Sequence, residues 1–163
     1  TGLQLALNVG AMLVAFMSLL AMANWGVKHA CGLFGHPEIG LETLLGWAFA
    51  PLAWILGTPW EDCQVVGRLI GVKTSLNEFV AYSDLATYSA DPAARPMSHR
   101  AYVIATYALC GFSNFLSIGI QIGGIGALAP SRRPDLARLG VKALIAGSLA
   151  CFMTAAIAGM LTD

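Results

Sequence analysis

The sequence predicts an all-α polytopic membrane protein. Its parts are transmembrane helices, one interfacial helix, a re-entrant helical hairpin and a discontinuous transmembrane helix. Three observations carry that expectation. The 163 residues are 57% hydrophobic and only 11% charged, with a mean hydropathy of +0.70, whereas soluble domains carry about 25% charged residues. Residues 3–27, LQLALNVGAMLVAFMSLLAMANWGV, hold no charge and exceed the roughly 20 residues that a helix needs to cross a bilayer. Two later apolar stretches are each interrupted by a polar break, KTSLNE at 73–78 and GFSN at 111–114.

Residues 3–27 read as a full transmembrane helix, with Trp25 and Lys28 anchoring its end at the interface. CGLFGHPEIG, residues 31–40, reads as a turn-rich connector. In LETLLGWAFAPLAWILG, Trp47 and Trp54 stand seven residues apart and share a helical face. Pro51 interrupts this run, so an interfacial helix is expected, with a kinked span as the other possibility. TPWE at 58–61 reads as a capped helix start: Thr58 the N-cap, Pro59 in the first turn and Glu61 completing a capping box. That helix is expected to stall at KTSLN, and a second one, EFVAYSDLATYS, to follow. Each is about 20 Å long, too short to span alone, so a re-entrant hairpin over 58–90 is expected.

Residues 101–131 are uncharged, yet the polar break divides them into segments of about 16 and 20 Å. One discontinuous helix over 98–129 is expected, unwound around Gly111, Ser113, Asn114 and Ser117. PSRRPDLARLGVK is the most basic segment and is assigned to the cytoplasm by the positive-inside rule. The last helix, 134–162, then exits on the far side, the hairpin enters from that side, and Lys28, Arg95 and Arg100 lie outside.

The polar breaks carry the candidate chemistry. A carboxylate inside a membrane segment is costly and implies function, and discontinuous helices mark the binding sites of secondary transporters. Ionised Glu78 only accepts hydrogen bonds, which suits two neighbouring hydroxyls such as a ribose diol. The structural alternative pairs it with Lys73 or Arg68. Asn114 both donates and accepts, and as N-cap of the second half-helix it sits beside free backbone donors. Ser117 lies one turn on, and Phe112 offers an apolar wall for a ring. Asn114 and Ser117 have their own structural alternative, capping a kinked helix. His29, His36 and His99 are assigned to loops, and no metal site is expected. The scattered cysteines lack zinc-ligand or disulfide spacing. No Ser/His/Asp arrangement points to an enzyme, and zero net charge offers nucleic acid no basic surface.

GVKTSLNEFVAY at 71–82 and SNFLSIGIQIGG at 113–124 together resemble the concentrative nucleoside transporter family. The first matches G-x-K-x-x-x-N-E-F-V-A-Y at Gly71, Lys73, Asn77, Glu78, Phe79, Val80, Ala81 and Tyr82. The second matches S-N-F-x-S-I-G-I-Q-x-G-G at Ser113, Asn114, Phe115, Ser117, Ile118, Gly119, Ile120, Gln121, Gly123 and Gly124. The resemblance covers the chain as the C-terminal half of such a transporter. It implies that Glu78 holds ribose hydroxyls, that Asn114, Ser117 and Asn77 complete the site, and that Phe112 borders the nucleoside, for example uridine. It implies a cation-coupled (Na+ or H+), multi-pass homotrimer of the inner or plasma membrane, with no bound cofactor. Residues 1–57 would belong to the scaffold and 58–163 to the transport unit. The family's earlier hairpin, carrying a G-Q-T-E-type motif, has no counterpart between Thr1 and Gly57. The sodium ligands are therefore expected in the N-terminal half of the same transporter, and the chain is expected to be an excised piece. The different-class alternative is a structural or gate-like membrane domain without transport.

Overall fold

The computed structural model describes residues 2–90 and 96–162 and, among them, contains helices and turns but no strand. Seven α-helices follow in order: α1 (Gly2–Leu33), α2 (Leu41–Ile55), α3 (Cys63–Ser75), α4 (Glu78–Ala90), α5 (His99–Leu109), α6 (Phe115–Leu128) and α7 (Arg133–Met160). The predicted position of Arg95 falls outside the described residues.

α1 and α7 are the long helices, about 48 and 42 Å at 1.5 Å per residue. α7 with its preceding turn, Pro130–Met160, is apolar and long enough to cross a bilayer. Leu149, Met153 and Ile157 on α7, like Leu19 and Met22 on α1, face outward. So broad an apolar surface suits lipid rather than water. α1 reaches Leu33, further than the sequence suggested: GVKHACGL holds no proline, and its two glycines weaken a helix without ending it. His29 therefore sits in α1, stacked on Trp25 with ring centroids 5.3 Å apart. His99 opens α5, and only His36 is in a loop.

Pro51 does not interrupt α2, which runs through it to Ile55. Proline removes one N–H and crowds the carbonyl four residues back, at a cost of about 3 kcal/mol in a helix interior; here the helix continues for one further turn beyond it, with Pro51 exposed. Trp47 and Trp54 are both exposed, as their spacing predicts. α2 packs backbone to backbone against α3. A Cβ on Gly67 would lie 2.7 Å from the Ala50 nitrogen and the Gly46 carbonyl oxygen, so only glycine permits this approach.

α3 and α4 form a helical hairpin. Arg68 reaches from α3 to Asp84 (2.6 Å) and Tyr88 (3.0 Å) on α4, and to Glu42 (2.9 Å) on α2. The expected capping box at Thr58 does not form. The chain enters α3 through a 3-10 turn, Trp60–Asp62, and the Thr58 hydroxyl is buried without a partner among the described residues. Asp62 takes the cap position, but its carboxylate crosses to α5, accepting from the Ser98 hydroxyl (2.6 Å) and N–H (3.2 Å). Ser98 in turn caps α5 by accepting from the Ala101 N–H. α3 also continues through Lys73, Thr74 and Ser75, so the turn is only Leu76 and Asn77. The Thr74 hydroxyl bonds back to the Ile70 carbonyl at 2.8 Å, which keeps that polar residue helical.

α5 and α6 run antiparallel along the whole of α7. Ile104 lies against Gly159, Ser113 against Gly147, Ile118 against Gly140 and Arg133 against Gly126. The break between α5 and α6 thus faces Gly147, the middle of α7. The open end of the hairpin lies at the C-terminal end of α7, where Arg100 donates to Gly57 O (2.9 Å) and Thr162 O (3.3 Å). The apolar core joins these elements through Val66, Leu69 and Ile70 of α3, Leu85 of α4, Ile104 and Ala108 of α5, and Ala155 of α7.

Candidate substrate site at the hairpin turn and the helix break

The two sequence breaks meet. Glu78, the first residue of α4, accepts a hydrogen bond from the Asn114 side-chain nitrogen at 2.9 Å. The Asn114 oxygen accepts from the Ser117 N–H at 2.7 Å and from the Ser117 hydroxyl at 2.9 Å. This fixes which way the amide points. The N-cap role demands the oxygen toward α6, which leaves the nitrogen to donate to the carboxylate. Asn114 is 2% exposed, so both ends of its amide are satisfied where water is excluded. The second Glu78 oxygen receives no donor among the described residues, and Glu78 is half-buried. It stays able to accept.

Neither predicted ion pair forms. Arg68 is engaged by Glu42 and Asp84. Lys73 is fully buried and donates to Ser113 Oγ (2.8 Å) and Ala108 O (3.4 Å) instead. The two lysine acceptors lie on the broken helix, 35 and 40 positions along the chain, which no spacing rule reveals. Asn77 points its side-chain oxygen back to the Val80 N–H at 2.9 Å and caps α4. Ser117 is helical, in the first turn of α6, so the unwound segment ends at Asn114. Gly111 is required there: its φ is +131°, and a Cβ would lie 2.7 Å from Cys151 Sγ.

Phe112 is 78% exposed at the mouth of a cleft of about 430 Å³ between α6 and α7. Ser113, Asn114, Ser117 and Gln121 form its polar wall, and Leu139, Leu144 and other α7 residues its apolar one. Glu78 is not part of this wall, so Asn114 stands between the cleft and the carboxylate. Gln121 was not singled out as a site residue from sequence, although its place one turn beyond Ser117 was visible. Among the described residues, no cluster of three or more metal-ligating side chains occurs.

A family described as the C-terminus of Na+-dependent nucleoside transporters matches residues 1–159. The chain belongs to this family. Its match is to the C-terminal part of concentrative nucleoside transporters, which are membrane transport proteins. The relatives include an uncharacterized transporter, YutK, of Bacillus subtilis, 51% identical over 160 residues, covering 98% of this chain and 38% of the relative. Nucleoside permease NupC of Helicobacter pylori is 43% identical, again over 98% of this chain and 38% of the permease. Among solved structures, CNTnw in an inward-facing substrate-bound state matches with a TM-score of 0.87 at 48% identity, over 98% of this chain and 38% of CNTnw. The chain thus spans under two fifths of each of these proteins. All-helical architecture is common to the chain and this transporter structure.

Proposed function

We propose that this chain supplies the ribose-binding half of a cation-coupled nucleoside importer, with Glu78, Asn114 and Ser117 holding the sugar and Phe112 bordering the nucleoside. The observation that carries the reading is the continuous hydrogen-bonded line Glu78–Asn114–Ser117 joining the two breaks. A free carboxylate oxygen can accept from ribose hydroxyls, and a diol repays the desolvation that a half-buried carboxylate otherwise costs. Asn77, beside Glu78, caps the helix that carries it.

Several features support a re-entrant hairpin. α3 and α4 are each about 20 Å long, and their turn meets the break at the mid-height of α7. The hairpin opens at the end of α7 opposite Arg132, Arg133, Arg138 and Lys142, so basic residues on the cytoplasmic side put its entry outside. α2, short and displaying two tryptophans, fits an interfacial helix. Residues 1–57 act as scaffold and 58–163 as transport unit in a homotrimer of the inner or plasma membrane. The N-terminal half closes the pocket and contributes the cation ligands. Sodium is the favoured coupling ion, from the family's description, with protons as the other outcome. Transport follows alternating access, in which hairpin and broken helix respond to the same ligand because Glu78 and Asn114 sit on different elements.

The test is uridine uptake by the full-length transporter carrying Glu78→Gln, with and without sodium. The expected result is loss of uptake at unchanged expression, and loss of wild-type uptake when choline replaces sodium. Uptake retained in Glu78→Gln overturns the ribose assignment.

A further inference from the structure

We propose that Lys73 is a positioning residue of the substrate site, clamping the end of α5 and the break so that Asn114 is presented to Glu78. The proposal rests on the ribose-site reading above.

Where α5 ends, its last carbonyls lose the donors that a continuing helix would supply. The Cys110 N–H turns to Tyr107 O at 3.2 Å, leaving Thr106 O to the Tyr82 hydroxyl at 2.7 Å. Ala108 O faces the Lys73 ammonium at 3.4 Å, and Cys110 O accepts from the Cys151 thiol. Two of these donors, Lys73 and Tyr82, stand near the two ends of the same motif that holds Glu78. The stretch 71–82 therefore serves both breaks: Asn77 caps the helix after its own turn, and Lys73 and Tyr82 close the helix before the other.

A fully buried ammonium is expensive, and no described carboxylate pairs with it. An apolar side chain of similar length would fill the same space at less cost. What the charge adds is direction. It faces the negative end of α5, lies 5.7 Å from the Phe152 ring centroid, and donates to Ser113 Oγ at 2.8 Å. Ser113 packs beside Gly147, whose lack of a Cβ leaves room for it. Its hydroxyl takes the Lys73 ammonium as its donor, and Asn114 follows it in the chain.

The experiment uses the full-length transporter with Lys73→Met, Ser113→Ala, the double variant and Glu78→Gln. The readout is the ratio of affinities for uridine and 2′,3′-dideoxyuridine. A merely destabilised protein offers fewer binding sites but keeps that ratio, whereas a displaced Asn114 lowers it. The expected result is a fall of about tenfold in each single variant, the scale of one hydrogen bond to a charged group, with no further fall in the double variant because both remove the same contact. An unchanged ratio in Ser113→Ala overturns the proposal even if Lys73→Met fails to fold. A ratio unchanged by Glu78→Gln instead overturns the ribose-site reading.

Discussion

The carboxylate of Glu78 and the amide of Asn114 are joined at 2.9 Å although 36 positions separate them in the chain. The contact links the first turn of α4 to the cap of α6, so each element constrains the other. It also divides the work of one amide: the oxygen ends a helix while the nitrogen orients a carboxylate.

That division separates stability from binding. Asn114→Ser keeps an oxygen able to cap α6, but its single hydroxyl is shorter than the amide and gives up the second arm that reaches Glu78. The full-length variant is expected to melt within a few degrees of wild type in detergent while nucleoside affinity falls at least about tenfold. Asn114→Ala, which loses the cap as well, should cost about 1 kcal/mol more. Thermal melts and binding isotherms on the same preparations check both statements.

Gly111→Ala brings two penalties to one atom. The residue sits at a φ of +131°, and its Cβ would meet Cys151 Sγ. The expected cost is about 1–3 kcal/mol, seen as a lower melting temperature together with reduced uptake. Gly111→Ala combined with Cys151→Ala relieves only the steric part, so recovery should be partial.

Gly67→Ala tests the contact between α2 and α3. Its Cβ would press on backbone atoms of Ala50 and Gly46, which cannot swing aside as a flexible side chain can. Loss of about 1–3 kcal/mol is expected, read as poor yield of folded protein. Gly123→Ala, with nothing within 4 Å of the new methyl, is the control and should be tolerated.

Asp62→Asn weakens the capping of α5 without touching the site. The Ser98 hydroxyl loses its charged partner, for an expected destabilisation of about 1 kcal/mol. The ratio of uridine to dideoxyuridine affinity should not move. A changed ratio would mean that the start of α5 is coupled to its end.

Much of this arrangement is legible in the chain itself. Uncharged length marks α1 and the apolar stretch of α7 as long helices, because length and hydropathy are read along the chain alone; among the described residues, Pro130–Met160 is the helix long and apolar enough to cross a bilayer. The break at Ser113–Asn114 and the start of α4 at Glu78 were also visible, since a cap acts on N–H groups only three residues away. The same local reasoning failed at Thr58, where a 3-10 turn moved the start of α3 to Cys63 and the competing partner, Ser98, came from a distant helix. It also placed Ser117 in the unwound segment and left Glu78 open to pairing with Lys73 or Arg68.

What the sequence by itself determined is that the chain breaks just before Glu78 and at Ser113–Asn114, and that a carboxylate and an amide stand at those breaks. Only the tertiary structure decided that Lys73 serves α5, that Arg68 serves α2 and α4, and that Glu78 is left for Asn114. The physical reason is range. Apolar length and capping are settled within a few residues, whereas a buried polar group must be satisfied by whichever partner packing brings near, and those partners here lie 16 to 40 positions away.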